Sequence, residues 1–115
     1  MPHEECLFCR IVRGDLPAKV ISETDEAIAL QDVNPQAPVH FLVIPKAHLR
    51  HLTEAAGDPG LVGRLLAFAS QLAEEQGIAK AGYRTVINTN MDGGQSVYHL
   101  HVHVLGGRAL AWPPG

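Results

Sequence analysis

The sequence predicts an α+β fold: a five-stranded, mostly antiparallel sheet with one long helix across a face and a short helix at the N-terminus. Three observations lead there. Residues His99-Leu100-His101-Val102-His103-Val104 alternate imidazole with aliphatic side chains, the period-two pattern of a half-buried strand. Four further short β-like runs, at 19–22, 27–31, 41–44 and 83–88, are set apart by turn-forming residues. One stretch, 58–77, repeats its apolar residues at helical spacing between a start and a stop signal. At 115 residues, 46% hydrophobic and 18% charged, the chain makes one domain, 1–115, with a single core and no internal repeat.

In chain order, Leu7, Phe8, Ile11 and Val12 stand at helical spacing, with Gly14 as a stop and Pro17 beyond it. Lys19–Ser22 and Ala27–Gln31, split by Glu23-Thr24-Asp25-Glu26, read as a hairpin. Pro35 and Pro38 force an extended loop that leads from Asp32 through His40 into Phe41–Ile44, an apolar strand ended by Pro45. His48 to Ala56 holds a short turn of helix opened by Thr53. The long helix has Asp58 as N-cap and Pro59 at its first position. Leu61, Leu65, Leu66, Phe68, Ala69, Leu72 and Ala73 form its apolar stripe, Arg64, Gln71, Glu74 and Glu75 its wet face, and Gly77 its end. Tyr83–Asn88 is a strand running into the Asp92-Gly93-Gly94 turn, and the histidine strand returns beside it as an antiparallel partner.

A net charge of −3 and a pI near 6.1 give no basic field for a long nucleic acid, so a nucleotide partner should be small. The N-terminus lacks a basic region followed by an apolar one. No apolar run approaches the roughly 20 residues that span a bilayer. A soluble, cytoplasmic protein is expected, with no membrane partner.

The histidines carry the chemistry. On a strand, His99, His101 and His103 project from one face while Leu100, Val102 and Val104 point into the core, so the histidine face should look into a cleft. At roughly 3.3 Å per residue, His99 and His103 stand about 13 Å apart and neighbours about 7 Å, so one metal could take two of them at most. Imidazole serves as nucleophile, as acid or base near neutral pH, or as a charge facing anionic oxygen, and phosphate chemistry uses all three. Upstream, Asn88 to Ser96 offers a paired-glycine turn with exposed N–H groups, a hydroxyl and amide side chains.

Cys6 and Cys9 are the only cysteines. In a cytosolic chain such a pair reads as half a metal site or a redox motif, or as two small apolar residues in the core. Acidic Glu4 and Glu5 just before it disfavour a reactive thiolate, which leaves metal as the preferred reading. Tetrahedral zinc needs two more ligands, and His3, His48, His51 and His99 are candidates.

His99-Leu100-His101-Val102-His103-Val104-Leu105 resembles the signature of the histidine triad (HIT) family. Gly94-Gln95-Ser96-Val97-Tyr98 looks like the same family. Leu105-Gly106-Gly107-Arg108 and Trp112-Pro113-Pro114-Gly115 are similar to its nucleotide-binding branch, the purine nucleoside phosphoramidases, rather than to the diadenosine-polyphosphate hydrolases. The likeness runs from Phe8 to Gly115.

It implies a HIT-like fold and an enzyme that cleaves the P–N bond of a purine nucleoside phosphoramidate, such as adenosine 5'-monophosphoramidate, through a nucleotidyl-histidine. The catalytic set it implies is His101 as nucleophile, His99 as the carbonyl that fixes its tautomer, and His103 and Ser96 on the phosphoryl oxygens. His40 joins them as a proton-relay partner. For the nucleotide it implies Asp32 on the ribose and Phe8, Ile11 and Val33 around the base. Asn88, Gly94, Gln95 and Ser96 would stand at the phosphate with His101 and His103, and Trp112 in a tail near the partner subunit's site of a homodimer. Cys6, Cys9, His48 and His99 would hold a structural zinc, leaving catalysis without a cofactor. Arg108 to Ala111 supplies no base, so leaving-group preference does not transfer. Two rivals remain: a hydrolase whose catalytic zinc sits on His99 and His101 with His40 or His48, and a nucleotide-sensing scaffold with vestigial activity.

Overall fold

A computed structural model describes residues 6–115; the candidate ligand His3 and the acidic Glu4 and Glu5 lie outside the described residues. The element order is α1 (Leu7–Val12), β1 (Val20–Glu23), β2 (Ala27–Gln31), β3 (Val39–Pro45), α2 (Leu52–Ala55), α3 (Pro59–Glu75), β4 (Tyr83–Val86) and β5 (Val102–Gly106). The five strands form one sheet in the order β1-β2-β3-β5-β4, and every neighbouring pair is antiparallel.

Alternation along the central strand splits the interior in two. Phe41 and Val43 face α3 and pack with Ala29, Val102, Val104 and the Leu61, Leu65, Ala69 and Leu72 stripe. Leu42 and Ile44 face the other way, with Ile28, Leu30, the α1 residues Phe8 and Cys9, and the α1 N-cap Cys6. His103 pairs directly with Leu42 across β3 and β5, so it stands on the α1 side. The register thus sets the histidine beside α1 rather than under α3.

α3 begins as expected, with Asp58 Oδ1 accepting the Leu61 N–H at 3.2 Å and Pro59 in the first turn. It ends where Gly77 takes φ +77° and Ile78 N–H reaches back to the Ala73 carbonyl at 3.0 Å. Ile78 then packs on β5 at Gly106, where any Cβ would come within 2.8 Å of it.

Four expectations change. Leu66 is 37% exposed and off the stripe, because the buried positions 61, 65, 69, 72 and 73 leave it on the flank. α2 starts at Leu52 and is capped by His51, whose Nδ1 accepts the Glu54 N–H at 3.3 Å; an imidazole lone pair serves there in place of the Thr53 hydroxyl. β4 stops at Val86, two residues before Asn88. β5 begins only at Val102, because β3 ends at Pro45, which has no N–H to continue the ladder. The Leu100 N–H turns instead to the Leu49 carbonyl at 2.6 Å.

Candidate active site and metal centre

His99, His101 and His103 lie on the α1 side of the sheet, where the Phe8 ring stands edge-on to His101 at 5.1 Å and to His99 at 5.9 Å. They divide between two environments. His99 is fully buried, while His101 and His103 line a cleft of about 530 Å³.

In the cleft, hydrogen bonds assign the tautomers. His101 Nδ1–H donates to the His99 carbonyl at 2.7 Å, which leaves Nε2 with a bare lone pair. The Gln36 N–H donates to His40 Nδ1 at 3.0 Å, so the His40 proton sits on Nε2. That Nε2–H lies 3.0 Å from His103 Nδ1 and 3.3 Å from Asp32 Oδ2. His103 therefore accepts at Nδ1 and carries its own proton on Nε2. The Asp32 carboxylate is fixed through its other oxygen, which accepts the Asn34 N–H at 2.8 Å, and Oδ2 lies 3.8 Å from His103 Nδ1. The backbone amide on His40 Nδ1 leaves the His40 Nε2–H as the atom that faces both His103 and Asp32.

Burial, with the neighbouring His101 and His40 adding to it and Asp32 opposing, pushes His103 down to about 4. Burial also pushes His101 below the ordinary imidazole value, against the His99 hydrogen bond and Asp32. Both rings are neutral at pH 7. A neutral ring with a bare Nε2 is a nucleophile, and a neighbouring Nε2–H is a donor to phosphoryl oxygen.

Behind them stands the second cluster. His99 Nε2–H donates to the Pro45 carbonyl at 2.7 Å, so its Nδ1 is a bare lone pair. That atom lies 3.2 Å from Cys6 Sγ, 3.5 Å from Cys9 Sγ and 3.2 Å from His48 Nδ1, and Cys9 Sγ lies 3.2 Å from His48 Nδ1. All four ligand atoms fall within 4.8 Å of one another. Tetrahedral zinc with sulfur at about 2.3 Å and nitrogen at about 2.0–2.1 Å requires edges of about 3.3–3.8 Å, so the donor set fits. Burial and the Cys6 thiol raise Cys9 to about 11 without a cation. A divalent ion held there would supply the charge that two buried thiolates need. Four protein donors leave no coordination position for a substrate.

Residues 13–110 match the profile of the HIT domain. The chain belongs to the HIT domain family. It is 51% identical to an uncharacterized HIT-like protein of Synechococcus elongatus over 97% of this chain and 98% of that one. Among solved structures, a HIT family hydrolase from Legionella pneumophila Philadelphia 1 superposes with a TM-score of 0.93 at 46% identity, covering 96% of this chain and 99% of that one. A zinc-bound histidine triad family protein from Mycobacterium smegmatis superposes with a TM-score of 0.80 at 33% identity, over 93% and 78% of the two chains.

Within this HIT domain, the cleft brings together Phe8, Ile11, Asp32, Val33, Ser96 and the His101–His103 pair. Asn88, Gly94, Gln95 and Trp112 do not line it. The Gly94 and Gln95 N–H groups, expected to face phosphate, are used inside the turn, on the Met91 and Asn90 carbonyls at 3.0 and 3.1 Å. Gln95 is buried and braces that turn, its Nε2 donating to the carbonyls of Arg50 at 2.7 Å and Val97 at 3.0 Å. Trp112 is 81% exposed on the single chain. Among the described residues, no group able to close on one metal contains both His99 and His101. Sequence reasoning did not name Leu16, Lys19, Leu42 and Val97 of the wall, nor the Gln36 N–H and Pro45 carbonyl that set two tautomers. Backbone groups leave no residue-type signal.

Proposed function

We propose that the chain is a hydrolase of the histidine triad type, cleaving the P–N bond of purine nucleoside phosphoramidates to a nucleoside monophosphate and an amine. The observation that carries this is His101: its Nδ1 is held by the His99 carbonyl, and its unprotonated Nε2 belongs to a cleft large enough for a nucleotide. Phe8, Ile11 and Val33 enclose the base, Asp32 takes the ribose hydroxyls, and Ser96 and His103 hold the phosphoryl oxygens.

His101 Nε2 attacks the α-phosphorus as the P–N bond breaks. The arriving phosphoryl charge raises the low pKa of His103, so this ring takes up a second proton from solvent, on Nδ1, only with substrate present. Asp32 Oδ2 then accepts from the charged pair of rings, and the His103 Nε2 proton goes to the leaving amine. Neutral again, His103 takes a proton from the water that hydrolyses the nucleotidyl-histidine. A zinc ion on Cys6, Cys9, His48 and His99 would be structural and would fix the His99 backbone behind the nucleophile. The reading includes a homodimer, supported by the open edge of β4 and by the exposed Trp112.

The test is incubation with an adenosine phosphoramidate bearing a fluorescent amine, with and without a strong chelator, followed by intact-mass analysis after an acid-free quench. A transient one-nucleotide adduct on His101, with turnover indifferent to chelation, is expected. Turnover lost on chelation with the fold intact and no adduct would replace this mechanism with a metal-activated water.

A further inference from the structure

The loop that carries Asp32 and His40 is held from the far end of the chain. Its two ends are tied together by the Asp32 N–H, which donates to the His40 carbonyl at 3.1 Å. Between them the Asn34 N–H donates to Asp32 Oδ1 at 2.8 Å, and the Gln36 side chain donates to the Asn34 carbonyl at 3.0 Å. The residues after β5 close on this loop. Gly107, at φ +89°, lies so near Pro38 that a Cβ there would come within 3.0 Å of the proline ring. Arg108 then donates from Nε at 3.2 Å and from Nη2 at 3.0 Å to one acceptor, the Gln36 carbonyl. Its Nη1 donates to the Ala109 carbonyl at 3.0 Å. A rigid fork with two hydrogens on one oxygen limits the rotation of that carbonyl more than a single donor would.

The other backbone group of Gln36 sets a tautomer. Its N–H donates to His40 Nδ1 at 3.0 Å, so the one proton of neutral His40 sits on Nε2. That Nε2–H, 3.0 Å from His103 Nδ1, makes His103 an acceptor there and leaves the His103 proton on Nε2. Rotation of the Gln36 backbone would free His40 Nδ1 to hold the proton. His40 would then turn a lone pair towards His103 Nδ1, and the His103 proton would move to Nδ1 to meet it. The neutral His103 ring would have no hydrogen left to give to a phosphoryl oxygen.

We propose that Arg108 is a positioning residue: through the Gln36 backbone it fixes the tautomer of His40, and through His40 that of His103. The chain of tautomers stands on these hydrogen bonds alone, while its effect on turnover rests on the phosphoramidase reading above. Arg108 does not line the cleft, so it acts on substrate only through the two rings.

The variants Arg108→Met and Arg108→Lys test this. Arg108 is exposed, so both should fold. Spectra of the protein carrying nitrogen-15 histidine distinguish protonated from bare ring nitrogens. In the wild type, His40 and His103 should each show one tautomer, with the hydrogen on Nε2. Arg108→Met should populate the Nδ1–H tautomer of both rings. It should weaken adenosine monophosphate binding, and lower kcat/KM for adenosine phosphoramidate, by about tenfold, the effect of one hydrogen bond to a charged group. Arg108→Lys, whose ammonium can still donate to the Gln36 carbonyl, should restore the Nε2–H tautomers. The His101 tautomer, set by the His99 carbonyl, should be the same in all three proteins, which separates the effect from a general loosening of the fold. Unchanged His40 and His103 tautomers in Arg108→Met, or a simultaneous change at His101, would overturn the positioning role. The spectra and the nucleotide affinity need no turnover. Tautomers that shift as expected in a protein that cleaves no phosphoramidate would therefore uphold the positioning role and remove the phosphoramidase reading.

Discussion

Two imidazole clusters stand back to back in this HIT domain, and their differences follow from what surrounds each pair of rings. Around His48 and His99 the partners are two thiols, the ligand atoms converge within 4.8 Å and His99 is fully buried. Around His101 and His103 the partners are a carboxylate, a third imidazole and an open cleft. Soft donors that converge suit an ion; donors that point along a groove suit a substrate. The clusters are joined through His99, whose ring belongs to one and whose carbonyl belongs to the other. One residue thus belongs to the candidate metal cluster and sets the tautomer of the proposed nucleophile.

The sharpest way to separate the clusters is His101→Ala, which should lower turnover by at least about 10³-fold while leaving the metal content unchanged. His101→Gly should keep nucleotide binding. Robust turnover in either variant would sink the nucleophile assignment. Next, replacing Cys6 and Cys9 together by serine should remove one metal ion per chain by elemental analysis and lower the melting temperature by on the order of 10 °C. Loss of nucleotidyl-histidine formation in the fraction that remains folded would show that the centre takes part in the chemistry.

Acid should break the second cluster first. His103 is held at about 4 against an ordinary 6.5, so the folded state binds fewer protons than the unfolded one between those values. Its contribution is fully present above about pH 6.5 and is lost as pH falls towards 4, by up to about 3 kcal/mol. Urea midpoints across that range should fall more steeply for the wild type than for His103→Gln; parallel slopes would place the acid sensitivity elsewhere. The smallest expected effect is that of Asp32→Asn. It should lower kcat by about tenfold, because the charged His103 loses its counterion, and shift the acidic limb of the pH profile. A change in KM alone would confine Asp32 to ribose binding.

Much of this architecture is written locally in the chain. The Asp58-Pro59 start and Gly77 stop of α3 are backbone chemistry that any sequence neighbour can reveal, and the apolar runs Ala27–Leu30 and Phe41–Ile44 mark the buried strands β2 and β3. Where elements end is less legible, because termination depended on a distant partner: β5 starts at Val102 because Pro45, fifty-seven positions earlier, closes β3. At the candidate site, periodicity put the three histidines on one side of the sheet but could not tell that the cysteines of α1 would enclose His99 alone. The glycine turn misled for a related reason. The Gly94 and Gln95 N–H groups look available in sequence, and only the fold shows that the Met91 and Asn90 carbonyls take them.

The strand order β1-β2-β3-β5-β4 also governs how the protein comes into being. The last strand made, β5, is inserted between two strands made before it. During synthesis β3 is therefore an unpaired apolar edge and β4 has no neighbour until Val102–Gly106 has emerged. Each cluster is completed only by this late stretch, the first by His99 and the second by His101 and His103, although Cys6, Cys9, Asp32, His40 and His48 are made long before. Closure of the sheet and completion of the two clusters arrive together and late, and a chain cut short before then is left with an exposed edge.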